Sequence, residues 1–356
     1  DLSKNSNDRF EYIYPNYKLI KKIDTNGNFN NDLVFSSYGY QKKYATNVYE
    51  GTIINDFLYD PVSNVNKSGF KNKFNALFKN VNIDAKNSTK HKNQFDQTLL
   101  ASIQYQSEYP LKKNGDIYDG HLIPKVSFMY SPNKTKNMLK DDRRIDINNV
   151  FSLERLATND TIEGGGSITI GTEYKKINNK NYKEILNLNL AQVIRDKKNE
   201  DLPINSGIGS TSSDIFGNLD FNPNSFFEIE YNFAIDNNFN ETNYDSIKTE
   251  LTVNNFVTTF EFLDNKKGLN QESYISNNST LDFDGTNTLG FNIRKNRKTN
   301  ATEFYDLIYS YTNDCLVASI KYNKDYYTNA DLKPEEQIFL SLTIIPFGKV
   351  DSINVN

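Results

Sequence analysis

Cysteine, histidine and long apolar runs are scarce in this 356-residue chain, and each scarcity closes off a class of chemistry. A single cysteine, Cys315, cannot build an internal disulfide framework. The two histidines, His91 and His121, stand at unrelated places, so neither a metal cluster nor a Cys–His dyad is signalled. "SGIGSTSS" (206–213) is glycine-rich, but no lysine follows it and it opens no helix, which removes a phosphate loop. An enzyme is not expected, and no cofactor is implied. No apolar run approaches the roughly 20 residues of a spanning helix. The opening "DLSKNSNDRF" has neither a basic n-region nor an apolar h-region, so it does not read as a signal peptide. Charge is nearly balanced, with 41 Lys and Arg against 45 Asp and Glu, which predicts no nucleic-acid partner.

What is present is aromatic. Mean hydropathy is low, at -0.68, yet the chain carries 23 Tyr and 24 Phe, far more than a disordered polar chain would. Two candidates fit: a soluble all-β protein with a modest core, or a transmembrane β-barrel whose strands escape hydropathy plots because alternate positions are polar. Alternating segments bounded by Asn, Asp, Gly and Lys clusters predict strands near 10–22, 31–42, 46–59, 69–83, 96–109 and 118–131. They resume near 164–176, 183–195, 212–221, 225–237, 244–254, 256–264, 272–283, 287–297, 302–312, 315–325 and 336–347. Many exceed ten residues, whereas globular strands usually run about five or six and a tilted bilayer strand needs about 9–11.

Connections in the C-terminal half alternate between short (222–225, 254–255, 283–287, 312–314) and long (195–213, 236–243, 264–272, 296–302). Outer-membrane barrels pair short periplasmic turns with long outer loops, and a soluble sandwich has no reason to sort its loops. Length and loop sorting favour a large antiparallel transmembrane barrel. Keeping the alternation requires 132–162 to be one long outer loop, with Phe151 and Leu153 packed inside it or in the barrel mouth. About seventeen wall strands result. An odd number is unexpected for a bacterial barrel, so the chain reads as an N-terminally truncated part of one, 1–356 being its C-terminal portion. Tyr105, Tyr109, Tyr130, Tyr322, Tyr326 and Tyr327 lie near strand ends, where aromatic girdles sit.

The last strand, in "EEQIFLSLTIIPFG", puts Ile338, Leu340, Leu342 and Ile344 on one parity and Phe339, Ser341 and Thr343 on the other. The aliphatic face is expected to meet outer-membrane lipid and the mixed face a wet lumen. Pro346 lacks a backbone donor and weakens pairing at that end. "EGGGS" (163–167) is read as backbone freedom where a loop enters a strand.

"LIPKVSFMYSPNKTKNMLKDDRRIDINNVFSLERL" (122–156) resembles the barrel of the LptD family of LPS-assembly proteins, also called organic solvent tolerance proteins. The matching positions are Pro124, Lys125, Ser127, Tyr130, Pro132, Asp141, Asp142, Arg143, Arg144, Asp146, Phe151, Ser152, Leu153 and Arg155, with Met129 where a basic residue is usual. "YTNDCLVASIKYNKDYY" and the final strand are similar to the family's closing hairpin.

The resemblance implies a translocon of the Gram-negative outer membrane that inserts lipopolysaccharide into the outer leaflet through the lumen and a lateral seam. It implies three kinds of partner: lipopolysaccharide itself, an LptE-like plug lipoprotein, and periplasmic transport-bridge proteins reached through an N-terminal domain. It implies a seam at Ile338, Leu340, Leu342, Ile344 and Pro346, and a possible bond from Cys315 to that soluble domain; a small residue packed at a strand end is the plainer reading of Cys315. Asp141, Asp142, Arg143, Arg144 and Asp146 can bind lipid phosphates or bridging cations, or form a mutually salt-bridged loop. The alternatives are a passive outer-membrane porin or solute channel, and a soluble all-β binding module.

Overall fold

The structure, a computed structural model, describes residues 11–23, 33–44, 47–89, 91–267, 271–326, 335–345 and 348–350. Alternation along the sequence becomes antiparallel strand almost throughout: β1 (Glu11–Ile23), β2 (Leu33–Tyr44), β3 (Tyr49–Tyr59), β4 (Asn64–Val65), β5 (Lys71–Lys86), β6 (Phe95–Glu108), β7 (Leu111–Lys113), β8 (Tyr118–Ser131), β9 (Gly165–Asn178) and β10 (Glu184–Arg195). The chain continues through β11 (Ser212–Phe221), β12 (Phe227–Ile235), β13 (Thr242–Val253), β14 (Phe256–Asn265), β15 (Ser273–Asp282), β16 (Asn287–Asn296), β17 (Ala301–Thr312), β18 (Leu316–Asp325), β19 (Glu335–Ile344) and β20 (Gly348–Val350). The all-β expectation holds, and every long strand lies where the sequence places one. The short strands β4, β7 and β20 are additional; at two or three residues they are too brief to show an alternation.

Two compact units divide the chain. The first comprises residues 1–111, 122–172 and 191–214. In it β1 pairs with β2, β2 with β3, β3 with β5, β5 with β6, and β6 with β8, all antiparallel. The second comprises residues 112–121, 173–190 and 215–356. There each strand from β11 to β19 pairs antiparallel with the next, so the unit is a continuous meander of hairpins. Turn chemistry shapes these hairpins. Asn254 holds φ at 51° in the two-residue link between β13 and β14, a conformation asparagine tolerates. In 283–286 the Asp284 carboxylate accepts bonds from Thr286 and Asn287, which hold it well below the usual carboxylate range.

Each wall strand has two faces. On β19, Ile338, Leu340, Leu342 and Ile344 are exposed, while Gln337, Phe339, Ser341 and Thr343 are half-buried. Leu340 lies opposite Ile320 of β18 and Leu342 opposite Ala318, so the apolar row continues across strands. The opposite face carries polar pairs: Lys321 and Asn323 meet Asp306 at 3.0 and 2.7 Å. We call these the free and the covered face.

The free face is not purely apolar. Ser37 donates to Asn55 at 2.7 Å, Asn55 donates to Asn80 at 3.3 Å, and Tyr17 meets Ser37 at 3.3 Å across β1, β2, β3 and β5. In the second unit Thr258, Ser279 and Asn277 bond one another at 2.8–2.9 Å. Polar groups set among exposed apolar side chains cost least when they satisfy each other, and both rows do so.

The loops correct two expectations. The 297–300 connection is no longer than 283–286, because Asn296 and Ala301 still pair and the strands extend into what read as a long loop. At the end of β19 the chain turns at Ile345, and β20 pairs back onto Leu342–Ile344 instead of extending one strand to 347. That part of β19's second edge is therefore already occupied. Pro346 and Tyr327 lie outside the described residues.

Candidate functional site

Residues 132–164 contain neither strand nor helix, and they lie over the covered face of the first unit. Apolar contact holds them there. Ile162 joins Ile54 of β3, Leu77 and Val81 of β5 and Leu100 of β6 in a buried cluster, with Leu153 packed beside it. Burying one aliphatic side chain of this size contributes roughly 1.5–3 kcal/mol. Polar bonds fix the register. Gln104 donates to the Phe151 carbonyl at 2.9 Å and Gln106 donates to the same oxygen. The segment also zips to 196–211: the Met138 amide donates to the Asp201 carbonyl at 2.7 Å, and Asn199 donates to Thr135 at 2.8 Å.

The tightest fastening is ionic. Glu163 sits between Arg155 of the loop and Arg195 at the end of β10, and all three are buried. Arg155 Nε donates to Glu163 at 2.6 Å, its Nη2 donates to the other carboxylate oxygen, and Arg195 Nη1 donates to that same oxygen. The remaining Arg155 protons reach Ser167 at 3.0 Å and Thr169 at 3.1 Å, while Arg195 reaches the Gly164 carbonyl at 2.5 Å. Burial alone would raise the Glu163 carboxyl, but the two guanidiniums outweigh it and hold the group below the usual carboxylate range. A second buried ion lies on β5, where Lys79 meets Asp56 at 2.7 Å and the loop's Glu154 at 3.4 Å.

The residues singled out in the sequence divide between these environments. Asp141, Asp142, Arg143 and Arg144 are exposed around buried Ile145. Arg144 and Asp146 approach to 3.7 Å, while Asp142 and the Arg143 amide bond Asn205 of the neighbouring loop. Arg155, another of the family-matching positions, lies in the buried triad. Cys315 is exposed, with its thiol free, in the turn between β17 and β18; its amide donates to Asn313 Oδ1 at 3.0 Å.

Glu163, Arg195 and Lys79 were not foreseen. The glycines around Glu163 drew attention to backbone freedom, which is real: Gly165 has φ +88°, and a Cβ on Gly164 would overlap the Asn133 carbonyl. The carboxylate among them passed unnoticed. Lys79 did carry a signal, since it shares its parity with Leu77 and Val81 and therefore had to be buried with a partner.

Two-faced strands too long for a globular sheet, with a loop fastened by buried ions over the polar face, define an all-β wall of the outer-membrane type. The sequence matches the family described as LptD, LPS transport system D, over residues 63–296. The chain belongs to the LptD family, and with it to the LPS-transport, outer-membrane β-barrel class. A search of curated proteins found no match. Among solved structures, one engineered variant of Rhodopseudomonas blastica porin has 10% identity and a TM-score of 0.32, covering 87% of this chain and 95% of that one. Another has 12% identity over the same shares, at a TM-score of 0.32. Likeness at that level carries no argument about function.

Proposed function

We propose that this chain forms part of an outer-membrane translocon that delivers lipopolysaccharide to the outer leaflet. The observation that carries the reading is the LptD match over 63–296. The wall's chemistry supports it. Lipopolysaccharide joins charged sugars to acyl chains, and moving the sugars through hydrocarbon would strip their hydration at a cost of several kcal/mol per unpaired polar group. The covered face offers polar partners along a protected path, and the free face offers the acyl chains an apolar one. The lipid then leaves sideways at a seam on β19 beside Ile338 and Leu340, ahead of the Leu342–Ile344 stretch whose second edge β20 occupies. A plug lipoprotein and a periplasmic transport bridge are the partners this reading brings, and the protein is integral to the outer membrane.

Depletion tests it. Cells losing this protein should stop displaying newly made lipopolysaccharide at their surface while phospholipid export continues. Undiminished surface display would remove the reading.

A further inference from the structure

The free face of the first unit carries a groove of about 450 Å³ walled by side chains of β6, β8, β9 and β10. Exposed Ile103, Phe128, Tyr130, Ile168 and Ile194 make it largely apolar. Gly166 leaves its floor open: a Cβ there would meet nothing nearer than 3.6 Å. A polar cavity of about 290 Å³ adjoins the groove beside residues 133–135, 164–165 and 195–201, and Arg195 and Asp196 line both. An apolar slot that continues into a polar one suits an amphiphile, with its chain on the wall and its headgroup among the charged side chains.

Charge in the polar cavity narrows the headgroup. Of the three lysines that line it, Lys198 is bound to Glu200 at 2.9 Å. Lys134 comes only within 4.0 Å of Asp201, with its side chain 90% exposed, and Lys197 makes no ion pair among the described residues. Two loosely held ammonium groups are ready partners for a phosphate. Asp196 is engaged through one oxygen: Oδ1 accepts from the Gly166 and Lys197 amides at 3.2 and 2.8 Å, which leaves Oδ2 for a cation. The cavity therefore complements a headgroup carrying both signs. At about 290 Å³ it lies at the small end of ligand sites, which run to about 1,000 Å³, and suits a phosphoethanolamine better than a phosphorylated disaccharide.

We propose that groove and cavity together hold one membrane phospholipid, phosphatidylethanolamine, on the outside of the wall. One acyl chain lies along Ile168 and Ile194 over Gly166, the phosphate meets Lys134 and Lys197, and the ammonium meets Asp196 Oδ2. The site needs the wall to stand in a membrane but not to transport anything, since it lies on the free face and away from the covered one. The experiment is native mass spectrometry of the purified protein released from detergent micelles, with four lipids offered in turn: phosphatidylethanolamine, phosphatidylglycerol, diacylglycerol and lipid A. Phosphatidylethanolamine should be retained about two- to fivefold more tightly than phosphatidylglycerol, which lacks the ammonium, and more tightly still than diacylglycerol. Lipid A, whose headgroup is a phosphorylated disaccharide, should be held more weakly than phosphatidylethanolamine.

Three variants assign the parts. Asp196→Asn keeps an acceptor for the two amides but removes the charge, so the preference over phosphatidylglycerol should vanish. Lys134→Gln combined with Lys197→Gln should weaken both phospholipids about three- to tenfold. Gly166→Leu should fill the groove and weaken every lipid about threefold or more; hydrocarbon surrounds the chain whether bound or free, so the loss is one of packing. Equal retention of phosphatidylethanolamine, phosphatidylglycerol and diacylglycerol by the parent protein, tighter retention of lipid A, or unchanged retention in the variants would overturn the proposal.

Discussion

Glu163→Gln should release the loop. The substitution keeps the shape of the side chain but leaves Arg155 and Arg195 buried without their shared counter-charge. Breaking a buried pair in this way typically costs about 3–5 kcal/mol, because the surviving charge has no water to turn to. Limited proteolysis of the folded protein should show cuts within 132–164 that the parent resists. Lys198→Gln is the control: its partner Glu200 is 2.9 Å away and both side chains are exposed, so about 0–1 kcal/mol and no new cuts are expected. Equal protease resistance in both variants would mean that apolar packing at Ile162 and Leu153 holds the loop alone.

The same triad sets a pH dependence. The folded-state Glu163 carboxyl is held below its usual range, so the unfolded chain takes up the proton first as pH falls. Its contribution is complete above the usual carboxylate range and is lost only as pH drops through the lower folded value. Loop protection should therefore be flat from neutral pH down to that range, and fail below it.

The second large effect belongs to the wall. Leu340→Arg puts a charge on the free face opposite Ile320, itself 51% exposed. A charged residue facing lipid near the bilayer midplane costs about 2–4 kcal/mol. Ser341→Arg, one residue on, points to the polar covered face and should cost clearly less, since a charge there is not placed against lipid. Urea titration of folding into lipid vesicles compares the two directly. Equal costs would mean that the two faces see the same solvent.

The wall was legible because a period of two is written residue by residue. Leu340 and Ser341 declare their faces without any knowledge of the partner strand. Arg155 shows where that legibility ends. The family resemblance grouped it with the charged run at 141–146, but its partners Glu163 and Arg195 arrive from a glycine-rich junction and from the end of β10. No local pattern links them. The polar rows on the free face failed for the same reason: Ser37, Asn55 and Asn80 are isolated polar residues in three strands, and only the pairing register places them side by side. The 196–211 loop read as length alone, whereas its Asn199, Asp201 and Asn205 anchor the neighbouring loop. Local alternation encodes faces; ion pairs and loop docking depend on contacts between distant positions.

The most direct test of the account is in-cell photocrosslinking along β18 and β19. A photoreactive residue placed at Lys321, Asn323 or Ser341 on the covered face should yield adducts that carry lipopolysaccharide sugars, detected with antibody to them. The same residue at Ile320 or Leu340 should capture membrane lipid, with lipopolysaccharide adducts confined to positions beside the exit seam. Lipopolysaccharide adducts absent from every covered-face position, under conditions where the cells still assemble their surface, would contradict it.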